Sequence, residues 1–166
     1  MAVNRTHTVI ESPIGPLTLV ATANGLCGLY MAEHRHKPNE STFGESSPAN
    51  FGAVREQLDE YFSGGRTEFS LPLDPSGTEF QQRVWDALRT IPYGQTWSYM
   101  DLAQTLGNPL AIRAVAAANG KNPISIIVPC HRVVGSDGSL TGFAGGLDRK
   151  RFLLEQESGG ISDVLF

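Results

Sequence analysis

The stretch Ser98-Tyr99-Met100-Asp101-Leu102-Ala103-Gln104-Thr105-Leu106-Gly107-Asn108-Pro109-Leu110-Ala111-Ile112-Arg113-Ala114-Val115-Ala116-Ala117-Ala118 decides the fold. It opens on Ser-x-x-Asp, a capping-box pattern in which the first hydroxyl and the later carboxylate exchange backbone hydrogen bonds. A short helix follows through Leu106, and Gly107 closes it at the position where a left-handed residue is wanted. Asn108-Pro109 then starts a second helix, with Asn at the cap and Pro in the first turn, running Pro109–Ala118. Two short helices joined by a tight glycine turn are the signature of a helix-turn-helix.

Working outward, Thr78-Glu79-Phe80-Gln81 is another capping box. Phe80, Val84, Ala87, Leu88 and Ile91 follow at the spacing of one helical face, and Pro92-Tyr93-Gly94 ends that helix. After the helix-turn-helix come Asn119, Gly120, Lys121, Asn122 and Pro123. A short apolar run over Ile124–Val128 is next, and then Pro129-Cys130-His131-Arg132. A glycine-rich loop from Gly135 to Gly146 precedes a last helix around Asp148–Glu157.

The first part of the chain reads differently. Thr8–Glu11 and Leu17–Thr22 are strands separated by the turn Ser12-Pro13-Ile14-Gly15-Pro16. Asn24-Gly25 predicts a type I′ hairpin turn, with Leu26–Met31 as the returning strand. Residues 32–50 are polar and without periodicity, and are expected to form a long flexible loop. Asn50 is expected to cap a helix with apolar positions at Phe51, Val54, Leu58, Tyr61 and Phe62, stopped by Gly64-Gly65; Leu71–Gly77 is a connector. The expected class is α+β: residues 1–76 a small sheet-plus-helix domain, residues 77–166 a mostly helical domain.

Composition sets limits. Apolar residues are 40% and charged residues 18% of 166, enough for a core and too few charges for a disordered chain. The net charge of −4 argues at first against nucleic acid. The distribution reverses that: residues 83–151 hold eight Lys+Arg against four Asp+Glu, while residues 1–76 hold five against nine. No apolar run approaches a membrane span, and the N-terminus lacks the apolar core of a signal peptide. Two cysteines, Cys27 and Cys130, make neither a disulfide framework nor a Cys-rich zinc site. A reducing, cytoplasmic setting is the expectation.

Cys130 has two readings. It is a small buried hydrophobe, or a thiol activated by neighbouring cations, and the polar His131-Arg132 flank favours the second. His131 suits a base for that thiol, but adjacent residues on an extended chain point apart. A turn or a bridging water is therefore needed. Glu157 shares the side of Leu153 and Leu154, and reads either as a solvated helix-end charge or as a partner for a histidine. Arg113 is a solvated arginine, or one standing proud of an alanine-rich helix that approaches DNA closely. Gly142-Phe143-Ala144-Gly145-Gly146 lacks the Gly-Lys-Ser/Thr ending of a phosphate loop, which leaves flexibility over a substrate. His34, Arg35 and His36 have no ligand partners at metal-binding spacing and read as a solvated loop.

Taken together, an ordered series of motifs carries a resemblance. The series is Phe80-Gln81 with Val84-Trp85, Ile91-Pro92-Tyr93-Gly94, Ser98-Tyr99, Ala111-Ile112-Arg113-Ala114-Val115, Asn119 with Asn122-Pro123, Ile127-Val128-Pro129-Cys130-His131-Arg132-Val133, and Gly142–Gly146. It is similar to that of the O6-alkylguanine-DNA alkyltransferases, also called methylated-DNA–protein-cysteine methyltransferases. Ser12–Leu17 looks like the start of that family's N-terminal domain. The resemblance implies a winged helix-turn-helix and a direct repair reaction needing no cofactor. An alkyl group passes once and irreversibly from O6 of guanine, with O4 of thymine as a second candidate, to Cys130. It implies that His131 is the base through a water, Glu157 its polarising carboxylate, and Asn122 the brace of the turn. Tyr99 would donate to guanine N3, and Arg113 would enter the stack in place of a flipped nucleotide. Ala114, Arg132, Val133, Phe143, Ala144 and Gly145 would lie against DNA or substrate.

The implied partner is double-stranded DNA carrying O6-alkylguanine, approached through the minor groove with little sequence preference. No membrane is involved, and the protein would be a monomer with cooperative assembly on DNA left open. Phe143 stands where a tyrosine is frequent. Ala144 stands where a serine occurs, so only its backbone N–H would reach O6. Val3, Thr22 and Cys27 fall near positions where some members hold zinc, and no metal is expected. Two other readings are a helix-turn-helix module with an inert cysteine and a Cys-His hydrolase that turns over repeatedly.

Overall fold

The computed structural model describes residues 4–159; Val3 lies outside them. The N-terminal half builds a four-stranded sheet in the order β3-β2-β1-β4, from β1 (Thr6–Ile10), β2 (Leu17–Thr22), β3 (Gly25–Met31) and β4 (Glu45–Ser46). β1, β2 and β3 pair antiparallel and β4 joins β1 in parallel. In β1 the alternation is clean: Thr8 and Ile10 are buried while Val9 is half exposed, as a strand with one solvated face requires. β2 and β3 are nearly continuous apolar runs because both of their faces are covered.

The covering of the second face is a departure from the sequence reading. Residues 32–50, expected as an unstructured loop, contribute two short 3-10 turns and β4. They also bring Phe43 onto Tyr30, with rings 5.6 Å apart and nearly parallel, closing a small cluster with Val20 and Cys27. His34, expected in solvent, is buried, and its Nδ1 accepts from the Met31 N–H at 3.1 Å. Burial and the charges of Lys37, Arg149 and His36 push its pKa down to about 4, so it is a neutral acceptor.

The hairpin forms one residue away from its predicted centre. Thr22 pairs with Gly25, so Ala23 and Asn24 are the central residues, and neither has the positive φ of a type I′ turn. The Thr22 hydroxyl accepts from the Asn24 N–H at 3.1 Å and closes the turn locally instead. Asn50 is not the helix cap either. A 3-10 turn over Pro48–Phe51 runs directly into α1 (Gly52–Phe62), and the Asn50 amide donates to Thr6 Oγ1 at 3.2 Å.

The C-terminal half follows the capping signals closely. Both predicted capping boxes are formed, Thr78 with Gln81 at the start of α2 (Glu79–Leu88) and Ser98 with Asp101 at the start of α3 (Tyr99–Thr105). Gly107 turns the chain with φ +76°, where a side chain would be strained. The next helix differs in detail: Pro109–Ala111 is a 3-10 turn without an Asn108 side-chain cap, and α4 runs Ile112–Gly120. α4 packs on α2 and α3, pinned where Trp85 Nε1 donates to Ala118 O at 2.9 Å. β5 (Trp97–Ser98) pairs in parallel with β6 (Val133–Val134), and α5 (Leu147–Glu157) closes the described chain.

One apolar core runs through both halves, from Ile10 and Leu29 of the sheet through Val84 and Val115 to Cys130 and Leu153. The connector docks on β3 through Leu26 N–H to Pro72 O at 3.0 Å and Asp74 N–H to Leu26 O at 2.7 Å. On the same strand, the Leu29 N–H reaches Pro123 O at 2.8 Å, just ahead of the Cys130 segment. No helix among the described residues is long and apolar enough to cross a membrane.

Candidate active site and DNA-facing helix

Cys130 sits where an apolar run is forced to turn. The segment Ile124–Val128 is buried throughout, yet Ile126 takes φ +74°, a conformation that a β-branched residue adopts only under constraint. Asn122 supplies that constraint. Its side-chain oxygen accepts from the Ile124 N–H at 3.0 Å and its amide donates to Val128 O at 2.8 Å, bracketing the strained residue. After Pro129 the chain forms a 3-10 turn over Cys130–Arg132. This turn puts Cys130 and His131 both inside, at 5% and 0% exposure.

Glu157 accepts from everything around it. His131 Nε2 lies 2.8 Å from Oε2, Arg132 donates from Nε to Oε1 at 2.7 Å and from Nη2 to Oε2 at 3.0 Å, and the Tyr61 hydroxyl donates to Oε2 at 2.6 Å. Glu157 is 5% exposed, so of its two sequence readings the histidine partner is the one realised. Burial by itself raises its pKa, but the hydrogen bonds of His131 and Arg132 and the Arg132 charge more than offset that and hold it at about 2. An ionised Glu157 makes Nε2 of His131 the protonated nitrogen. Nδ1 is then a buried lone pair, with no hydrogen-bond partner among the described residues. Burial lowers the His131 pKa despite Glu157, so the imidazole rests neutral, as a base should.

The activation of the thiol by neighbouring cations, one of its two sequence readings, is opposed by burial. Burial raises the Cys130 pKa, and the Asn122 hydrogen bond and the Lys150 charge offset it only in part. Arg132, expected as an activating cation and a contact for DNA or substrate, is turned inward. It is buried at 6% exposure, spends its charge on Glu157, and donates Nη1 to Ile91 O at 2.7 Å. Val133 is fully buried, so its side chain also faces the core; its carbonyl accepts from Lys150.

Lys150 and Tyr61 carry weight that sequence reasoning missed. The Lys150 ammonium is fully buried and donates to Val133 O at 2.6 Å, Thr141 O at 2.7 Å and Gly142 O at 3.4 Å. It joins the strand after the cysteine turn to the glycine-rich loop. Desolvation lowers its pKa to about 8, with the Cys130 side acting to raise it. Nothing in the local pattern marked Lys150 as buried; Tyr61 was read only as an apolar helix position. Tyr99 is half-buried, its hydroxyl 2.9 Å from Thr141 Oγ1, so it stands at the same loop. Phe143 and Gly145 are buried and Ala144 half-buried.

On the outer side of the helix-turn-helix, Arg113, Ala114 and Ala117 of α4 are exposed, whereas Ala118 is buried under Trp85. The small-residue face is therefore narrower than the alanine count suggested. Leu110 at the head of the helix is 94% exposed. Among the described residues no cluster of three or more His, Cys, Asp or Glu is arranged to hold a metal ion.

A helix-turn-helix with a small-residue face, together with a buried cysteine next in sequence to an imidazole–carboxylate pair, has the make-up of a DNA-binding protein. Comparison with known proteins agrees. Residues 79–159 match the 6-O-methylguanine DNA methyltransferase DNA-binding domain, and residues 6–75 match the ribonuclease-like domain of the same proteins. A methylated-DNA–protein-cysteine methyltransferase of Mycobacterium bovis is 53% identical over 91% of both chains. One from Methanosarcina barkeri is 46% identical over 93% of this chain and 98% of its own. The crystal structure of the Mycobacterium tuberculosis protein in complex with DNA superposes with a TM-score of 0.88 at 50% identity, over 96% of this chain and 97% of that one. The chain belongs to the methylated-DNA–protein-cysteine methyltransferase family.

Proposed function

We propose that this chain repairs DNA by its family's reaction, taking a methyl or other alkyl group from O6 of guanine in duplex DNA onto Cys130. α4 lies along the minor groove, the damaged nucleotide is flipped out, and Arg113 fills its place in the stack. The thiol proton passes to His131 Nδ1 through a water, and the imidazolium is stabilised by Glu157, as a triad carboxylate stabilises its histidine. Sγ attacks the alkyl carbon, the S–C bond forms as the C–O6 bond breaks, and guanine leaves with a proton supplied at N3 from Tyr99. The Ala144 backbone N–H faces O6. A thioether has no leaving group to return, so each molecule acts once, as a monomer.

The observation that carries this reading is the buried Cys130–His131 turn with His131 held on Glu157. Intact mass after incubation with a duplex containing O6-methylguanine tests it. One methyl group per protein, mapped to the Cys130 peptide, is the expected result. Methyl on Cys27, product in molar excess over protein, or DNA binding without transfer would overturn it. The second of these outcomes favours a hydrolase and the third an inert cysteine.

A further inference from the structure

The glycine-rich loop is held from two sides by consecutive residues of α5. Lys150 ties Thr141 and Gly142 to β6, within the C-terminal half. Arg149 turns the other way. Its Nη1 donates to Gly145 O at 3.1 Å and to Ala32 O at 2.5 Å, and its Nε donates to Ile14 O at 3.1 Å. Ile14 lies in the β1–β2 turn and Ala32 just after β3, so one guanidinium spans the loop and two turns of the N-terminal sheet. It makes no carboxylate pair among the described residues; its donors are spent on carbonyls. The turn after β3 adds its own bond, Arg35 N–H to Ala144 O at 2.7 Å. Met31, fully buried at the end of β3, lies so close to Gly145 that a Cβ there would meet its sulfur at 2.2 Å. The same Cβ would lie 3.0 Å from the Phe143 ring.

From these contacts we infer that Arg149 and Met31 make the N-terminal sheet the outer wall of the substrate loop, fixing how far Phe143, Ala144 and Gly145 stand from Cys130. The inference rests on the alkyl-transfer reading. Arg149 is a positioning residue: its hydrogen bonds go to backbone carbonyls, and it sets where the Ala144 N–H meets the alkylated oxygen. A misplacement of about 1 Å at a reacting centre lowers a rate about 10²-fold, so the support under this loop bears directly on the chemical step. The N-terminal domain then contributes to chemistry through the turn after β3, although it holds none of the reacting groups.

The test compares the native protein with R149Q, R149K, G145A and the double variant M31A/G145A, each well below its own melting temperature. The readouts are affinity for unmodified duplex and the saturating single-turnover transfer rate. R149Q is expected to keep duplex affinity within about twofold, because α4 is untouched, and to lose roughly 10- to 100-fold in saturating rate. R149K recovers part of that loss, since an ammonium still reaches a carbonyl. G145A is expected to be slow, because its methyl group drives the loop off Met31, and M31A in the same chain is expected to restore most of the rate. The double variant carries the test if R149Q does not fold. A native-like saturating rate in R149Q, or a G145A loss that M31A leaves unrelieved, overturns the inference. A native protein that transfers no methyl group overturns the functional reading itself, so the two failures are separable.

Discussion

Replacing Glu157 by Gln tests the structural and the chemical role of the same carboxylate at once. In the native protein Glu157 accepts from His131, Tyr61 and two nitrogens of Arg132. A glutamine keeps one acceptor oxygen and puts an amide donor where only donors point. Arg132, 6% exposed, is left without its counter-charge. Breaking one partner of a buried pair costs about 3–5 kcal/mol, against a total stability of about 5–15 kcal/mol. E157Q is therefore expected to fold, but to melt lower by roughly 6–20 °C, at about 2–4 °C per kcal/mol for a chain of this size. Loss of the His131 partner is expected to slow methyl transfer by roughly 10²–10⁴-fold. Tyr61→Phe separates the two effects: it removes one hydrogen bond to a charged group, about 1.5–3 kcal/mol, leaves the carboxylate charged, and keeps the transfer rate within a few-fold. His131→Ala is expected to be as slow as E157Q and the double variant little slower, because the two act as a unit. The assay is single-turnover transfer below the lowest melting temperature, alongside thermal unfolding. A full-rate E157Q protein, or rate losses that add in the double variant, would refute the relay; an unchanged melting temperature would refute the burial argument.

Acid stability should report the same cluster. Glu157 is held at about 2, below its ordinary carboxylate value, so its stabilisation is present above about pH 4.5 and is lost as pH falls towards 2. The lowered pKa of His131 acts in the same sense from about pH 6.5 downward, because the unfolded chain binds that proton first. Melting temperature should thus fall steadily from about pH 6.5 into acid, with E157Q giving a flatter profile below pH 4.5; parallel profiles would contradict the assignment. Arg113→Ala should slow transfer from duplex far more than from the free O6-methylguanine base, because unstacking costs a few kcal/mol that the side chain helps to offset. Equal losses on both substrates would leave Arg113 a surface charge.

What was legible in the sequence was whatever acts over a few residues. Ser98–Asp101, Thr78–Gln81 and Gly107 work through bonds one turn away, and all three formed as read. Cys130 and His131 announced themselves by a polar flank on an apolar run. Glu157 could not, because its environment is assembled from Tyr61 on α1 and Arg132 on the cysteine turn; its spacing from Leu153 and Leu154 says only which side it shares. Arg132 misled for the same reason: two residues from Cys130 in sequence, it discharges onto Glu157 in space. In residues 32–50 the single aromatic Phe43 lies in a polar context, and only the second face of β2 and β3, which it helps to bury, gives it something to cover. Asn24-Gly25 carried a hairpin signal, but the bulge between Val20 and Ala21 shifted the register by one residue, and Thr22 took over the turn.

The charge arrangement bears on how a buried thiol reacts at all. With Cys130 raised and His131 lowered by burial, both rest neutral, and the resting site holds its charge on Arg132, Glu157 and Lys150. In the proposed reaction, moving the thiol proton to His131 would create a thiolate and an imidazolium inside the core, a step that burial opposes. Two charges already in place would meet it: Glu157 accepts from His131 and would favour the imidazolium, and Lys150 would favour the thiolate. Neither has to be recruited during the reaction, so little reorganisation accompanies the proton transfer. On the proposed reaction, alkylation of the sulfur removes the thiolate, while Lys150 stays buried on its carbonyls. On that reading, the arrangement is matched to the ionised thiol rather than to the neutral product.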